Sequence, residues 1–73
     1  MSIRSFNIGD YKNGVADAII KLGGVENAAE ILDEVWLEIE LWVERGYVPA
    51  RLAEKIHCKT GVPMYDLVQE RGR

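Results

Sequence analysis

The sequence has very little of what builds a covalent or metal-based framework. Cys58 is the only cysteine and His57 the only histidine among 73 residues. One cysteine excludes a disulfide within the chain, and these two residues cannot supply the four ligands of a structural zinc site. A chain this short buries only about 60% of the surface that it exposes when unfolded. Self-association or partner binding therefore remains open as a source of extra stability.

Long apolar runs are also missing. No segment approaches the roughly 20 consecutive apolar residues that a membrane helix needs. Residues 1–14 have no apolar stretch behind a basic start, so they do not resemble a secretory signal. Together with a free thiol, these absences predict a cytoplasmic protein that does not associate with a membrane.

Basic residues and groups of side chains typical of catalytic sites are scarce as well. Nine Lys and Arg against twelve Asp and Glu give a net charge of -3, which does not favour nucleic-acid binding. Apart from the tyrosines, the hydroxyl candidates are Ser2, Ser5 and Thr60, and none has a histidine at a diagnostic spacing. No glycine-rich phosphate loop is present. We therefore expect a non-enzyme without a cofactor, in which Cys58 is packed rather than reactive and His57 binds no metal.

What the chain does contain is typical of a globular protein. It is 48% hydrophobic and 29% charged. Glycines and prolines divide it into short amphipathic segments, which predict an all-α, compact four- to five-helix bundle over residues 15–70. Residues 1–14 are predicted to form an irregular N-terminal arm with room for a short strand. The predicted helices are residues 15–22, 26–32, 35–45, 48–61 and 62–70.

The segment over residues 34–46 is ambiguous on propensity alone. Residues 37–41 alternate between apolar and acidic side chains, which is the pattern of a strand. As a helix, the same segment places Val35, Ile39, Trp42 and Val43 within about 100° of one face. The local pattern leaves both structures open.

Three stretches of this chain resemble a known family. They are Gly-Gly-Val at residues 23–25, WVERGYVPA at residues 42–50, and Thr-Gly-Val at residues 60–62. Their order and spacing resemble the Cro and YdaS-like helix-turn-helix regulators of phages and prophages. The resemblance implies a five-helix bundle in which helix two (residues 26–32), a turn (33–34) and helix three (35–45) form the DNA-reading unit. It favours a helix for the ambiguous segment.

The chain departs from that family where bases are read. The turn position held by Asp33 is normally glycine in the family, and the third helix normally begins with a Ser/Thr/Gln-rich run. Here that run is Val35, Trp36, Leu37 and Glu38. Tryptophan and leucine cannot form the bidentate hydrogen bonds that discriminate bases. The sequence therefore predicts that the scaffold is kept and base recognition is lost.

Charge along the same region points in the same direction. Residues 26–44 contain seven acidic residues and no basic one. DNA affinity depends on Lys and Arg neutralising phosphates, and a carboxylate about 4 Å from a phosphate costs roughly 1 kcal/mol even in water. The acidic run is either a solvated face or a complement to a basic protein surface, such as another regulator's DNA-binding domain. Basic residues that could contact a nucleic-acid backbone follow later: Arg45, Arg51, Lys55 and Lys59.

The third helix carries the strongest candidate site. On the helical hypothesis, Leu37 and Leu41 lie opposite Ile39 and Trp42, with Trp36 between the two faces. The outer residues then form an exposed apolar stripe with an acidic rim, which is the layout of a protein interface. The alternative is that all three outer apolar residues belong to the core. The predicted protein-binding residues are Trp36, Leu37, Glu38, Glu40, Leu41 and Glu44.

Three functional hypotheses follow. The leading one is a small regulatory protein that binds protein through its third helix, by forming a homodimer and/or by inhibiting a partner such as a transcription factor. The second is a DNA-binding repressor of the Cro or YdaS type, and the third is a purely structural subunit. In the homodimer, Ile3, Phe6 and Ile8 of the arm are predicted to lie across the neighbouring copy.

Overall fold

The computed structural model describes residues 6–68, and within that range the protein contains four α-helices and no strand. The all-helical prediction is therefore confirmed. Each helix lies within a residue or two of its predicted position, and the ambiguous segment is helical. The helices are α1 (Gly14–Lys21), α2 (Val25–Leu32), α3 (Trp36–Arg45) and α4 (Ala50–Thr60), and 3-10 turns occur at Ile8–Asp10 and Met64–Asp66.

The arm contains a 3-10 turn where the sequence allowed a short strand. The side chain of Asn7 caps this turn by accepting a hydrogen bond from the Gly9 N–H at 3.1 Å. Phe6 and Ile8 are half-buried against the protein's own core, and Phe6 stacks on Tyr11 with ring centroids 5.5 Å apart. These two residues thus contact the core of their own chain, and their predicted contact with a neighbouring copy stays a prediction. Ile3, the third residue of that prediction, lies outside the described residues.

The predicted last helix, residues 62–70, is reduced to a single 3-10 turn over its described part. The Leu67 N–H donates to the Met64 carbonyl at 2.9 Å, closing that turn. Leu67 is fully buried, and its carbonyl accepts a hydrogen bond from the Val48 N–H at 2.7 Å. The chain turns inward here because the core and the Val48 backbone both bind Leu67. Residues 69 and 70 lie outside the described range.

Four helices share one apolar core. α2 packs on α3, and α1 contacts the other three helices. Small side chains at Ala18, Ala28 and Ala53, all fully buried, allow the helices to approach closely. The largest fully buried side chains come from three helices and the final turn: Val15, Ile19, Ile39, Trp42, Val43, Ile56 and Leu67.

One asparagine joins the start of α1 to the end of α3. The Asn13 Oδ1 atom accepts a hydrogen bond from the Ala16 N–H at 2.8 Å, and its Nδ2 atom donates to the Val43 carbonyl at 3.0 Å. The first bond caps the N-terminus of α1, and the second satisfies a carbonyl near the C-terminus of α3 that lacks a helical partner. Asn13 therefore fixes where α3 ends relative to α1.

The turn between α2 and α3 contains a residue with a left-handed backbone conformation, Asp33. After α1, Gly23 has φ 102°, and the Gly24 N–H donates to the Ile19 carbonyl at 2.9 Å. After α2, Asp33 has φ 58°, and the Glu34 N–H donates to the Ala29 carbonyl at 2.9 Å. This is the Schellman arrangement, in which glycine is the preferred left-handed residue. Asp33 therefore has a left-handed backbone conformation that glycine adopts at lower steric cost.

We expect Asp33→Gly to stabilise the protein by about 0.5–1 kcal/mol, because glycine reaches φ 58° without the steric cost that aspartate bears. Gly61→Ala is the matched control, since φ there is 81° and an added Cβ would meet no atom within 4 Å. It should destabilise the protein by about 1 kcal/mol for the same conformational reason. Urea unfolding of both variants measures the effects. Loss of stability in Asp33→Gly would contradict this account of the turn.

Candidate functional site

Helix α3 has one buried side and one exposed apolar side. Ile39, Trp42 and Val43 are fully buried. Trp36, Leu37 and Leu41 keep 55%, 50% and 40% of their surfaces exposed. The prediction that the outer residues are exposed is confirmed, and the alternative that all three belong to the core is wrong. We call Trp36, Leu37 and Leu41 the α3 face.

Val35 joins this exposed surface against expectation. The helical pattern placed Val35 with the buried residues, but it is 63% exposed. It precedes the first turn of α3 and has an extended backbone, with φ -85° and ψ 154°. A residue outside the helix does not follow helical periodicity, and this explains the error. Ile31 of α2, 37% exposed, is a further surface residue that the sequence analysis missed, because Ala28 and Leu32 hold the buried side of that helix.

Acidic side chains occur on α3 together with the α3 face, and also on α2 and in the turn between the two helices. Of the three predicted rim residues, Glu38 and Glu44 are exposed and Glu40 is half-buried. α2 and the turn after it add further carboxylates, at Glu26, Glu30, Asp33 and Glu34, and no basic residue occurs between residues 26 and 44. We call these seven acidic residues of the α2–α3 segment the acidic region.

The four predicted phosphate-contacting residues all lie outside the α3 face. Arg45, in the last turn of α3, lies over the Tyr47 ring at 4.4 Å, and its Nε atom donates to the Tyr47 carbonyl at 3.4 Å. Arg51, Lys55 and Lys59 recur every four residues along α4 and are exposed, so they form one stripe on that helix. Arg45 is thus the one of the four that lies on α3, and the other three lie on α4.

An ion pair joins the acidic region to this stripe. The Arg51 Nη1 atom lies 3.4 Å from the Glu34 Oε2 atom, with the arginine 66% exposed and the glutamate 18% exposed. An exposed pair of this kind contributes at most about 1 kcal/mol. Its consequence is local: Arg51 is already engaged with a carboxylate of its own chain.

Residues 55–62 form a hydrogen-bonded helix end. The His57 Nδ1 atom lies 2.7 Å from the Val62 carbonyl, which requires Nδ1 to carry the proton and donate. The Thr60 hydroxyl donates to the Ile56 carbonyl at 2.7 Å.

Cys58 is exposed, so the expectation that it is packed is wrong. Within the described range, no three His, Cys, Asp or Glu side chains are grouped as metal ligands would be.

An open groove lies beside the N-terminus of α1. Its walls include Tyr11, Asp17, Tyr65 and Asp66, and none of the residues lining it belongs to α3. Asn13 also lines the groove, but both polar atoms of its side chain are engaged with backbone groups. The groove is therefore separate from the α3 face.

No helix in residues 6–68 combines the length and the apolar character needed to cross a bilayer, and the longest has 11 residues. No family model, curated protein or solved structure matches the chain.

Proposed function

We propose that this chain is a small cytoplasmic regulatory protein that binds another protein through the α3 face. Its scaffold is a helix-turn-helix formed by α2 and α3, and we expect it to have no enzymatic activity. The observation that carries the proposal is the exposure of Trp36, Leu37 and Leu41 on one helix whose opposite side is fully buried. An apolar centre beside charged residues is the anatomy of a protein interface, and tryptophan is enriched among residues that dominate binding energy.

A partner that covered the α3 face would bury apolar surface that is now exposed to water. Fully burying a large apolar side chain contributes about 1.5–3 kcal/mol, so covering one that is about half-exposed contributes roughly 1 kcal/mol. The α3 face presents three such side chains together, and Val35 adds a fourth nearby. Single exposed apolar residues need no explanation, whereas a contiguous group on one short helix indicates an interaction site.

The same face is poorly suited to a DNA groove. Its side chains cannot hydrogen-bond base edges as the bidentate side chains of groove-reading helices do. Glu38 and Glu44, both exposed on α3, would approach phosphates of the same sign. A Cro or YdaS-type repressor remains the second candidate because of one observation, the stripe formed by Arg51, Lys55 and Lys59 on α4. Such a protein would bind the backbone through α4 instead of α3.

Titration into random-sequence duplex at about 50 mM salt, where nonspecific binding is strongest, tests the proposal. We expect no duplex binding that depends on α3. The variants are Trp36→Ala and Leu37→Ala, matched against Lys55→Ala and Lys59→Ala, and anisotropy of a labelled duplex is the measurement. Binding lost in the first pair would refute the proposal. Binding lost only in the second pair would instead support the repressor.

A further inference from the structure

Charge is unevenly distributed along residues 26–59 of the chain. Residues 26–44 hold seven acidic residues and no basic one, whereas residues 45–59 hold four basic residues and one acidic residue, Glu54. The α3 face lies within the acidic half. Any partner that covers this face also meets the field of the carboxylates beside it, so charge complementarity contributes to the choice of partner.

We propose that the occupant of the α3 face is an arginine-rich amphipathic surface of a different protein, of the kind that proteins use to bind nucleic acid. This inference rests on the proposed function and names the chemistry of its partner. Guanidinium groups pair with carboxylates and also stack on aromatic faces. Trp36, 55% exposed, offers an aromatic face and the exposed Glu38 offers a carboxylate, and the two residues flank Leu37 on opposite sides of the helix.

Two exposed leucines supply the apolar part of the proposed interface. Leu37 and Leu41 are one helical turn apart, and both remain exposed by 40% or more. Such an i, i+4 pair is the element that an apolar groove or a facing amphipathic helix accepts. The aliphatic stems of arginine side chains also cover apolar surface while their charged ends stay in water. An arginine-rich amphipathic partner therefore satisfies the apolar centre and the acidic surroundings together.

A second copy of this chain matches less well. Pairing α3 with α3 around a two-fold axis brings the exposed Glu38 and Glu44 of both copies into one interface. Each copy adds one exposed cation there, Arg45, which lies over its own Tyr47 ring, so acidic charges outnumber basic ones. Pairing α3 with α4 gives opposite charges. However, the exposed residues of α4 include no Leu, Ile, Val, Met or aromatic side chain to cover Trp36 and Leu37: they are Ala50, Arg51, Glu54, Lys55, Cys58 and Lys59.

The experiment uses two synthetic helical peptides of about 20 residues, long enough to form helix on binding. Both carry leucines on one face, and the other positions are arginine in the first peptide and glutamate in the second. We expect the full chain to bind the arginine peptide at least about tenfold more tightly, by calorimetry, and to lose affinity as salt rises. Leu37→Ser should weaken that binding about 30-fold, the scale of interface hot spots.

Ile20→Ser is the matched control, because Ile20 is 52% exposed on α1 and lies outside the α3 face. Its affinity for the arginine peptide should stay within about twofold of the original protein, as expected for a residue outside the interface. If Leu37→Ser does not fold, Leu41→Ser replaces it. Equal affinity for the two peptides, no binding of either at about 100 µM, or an unchanged affinity of the leucine variants overturns the inference.

Sedimentation of the protein alone separates this inference from the proposed function. A dimer that dissociates in Leu37→Ser shows that a second copy occupies the α3 face. That result overturns the arginine-rich partner but leaves protein binding through α3 standing. A monomer that binds the arginine peptide supports both. Duplex binding that requires Trp36 overturns both.

Discussion

Ile39→Glu is expected to unfold the protein, whereas Leu37→Glu is expected to leave it folded. The two positions are two residues apart on α3 and receive the same side chain. Ile39 is fully buried, and Leu37 is 50% exposed. A carboxylate without a partner in an apolar core costs several kcal/mol. A native domain is stabilised by only about 0.05–0.15 kcal/mol per residue, so this cost matches most of the folding free energy of so small a chain.

The exposed substitution has no such cost. Leu37→Glu should change stability by less than about 0.5 kcal/mol, as other surface substitutions do, which shifts Tm by only about 2–4 °C for a domain of this size. Circular dichroism melts of both variants provide the comparison. If Leu37→Glu unfolded the protein as readily as Ile39→Glu, the α3 face would be core and the protein-binding proposal would fail.

Gly14→Ala is expected to destabilise the protein by about 2 kcal/mol, the scale of forced overpacking. Gly14 is the first residue of α1, and a Cβ there would lie 2.5 Å from the Asp66 Cβ and 2.7 Å from the Asp66 carbonyl oxygen. Alanine is a better helix former than glycine by about 1 kcal/mol, so local propensity predicts the opposite sign. The turn at residue 66 must move to admit the methyl group, and Leu67 would be drawn from the core with it.

Gly9→Ala is the control for this substitution. The atom nearest to an added Cβ at Gly9 is the Asn7 Oδ1 atom at 3.4 Å, an ordinary contact, so stability should change little. The free energies of unfolding of the two variants, measured in urea, distinguish the effect of the close contact with Asp66 from the effect of helix propensity. A Gly14→Ala protein as stable as the original would mean that the Met64–Asp66 turn moves without cost, and that its packing on α1 adds little to the fold.

The sequence by itself determined the positions of α1, α2 and α4, whereas it left a strand open for residues 37–41 and predicted a fifth helix at residues 62–70, which is a 3-10 turn over its described part. Glycines at 23, 46 and 61 end α1, α3 and α4 with positive φ angles, and the apolar spacing within each segment selects its buried side. Much of the candidate site was predictable for the same reason. Once α3 is a helix, Ile39 and Leu37 must point in different directions, and the acidic residues of the region can be read directly along the chain.

Only the tertiary structure decided three features that the apolar spacing of the sequence does not specify. The alternating residues 37–41 form a helix because Ile39, Trp42 and Val43 together fill the space against α1 and α2, which a strand would not do. Val35 is exposed because its extended backbone lies before the helix begins. Residues 64–66 form a 3-10 turn because the core and the Val48 N–H both bind Leu67. At residues 37–41 and 64–66, contacts distant in sequence outweigh local preference, since burying apolar surface is worth more than propensity.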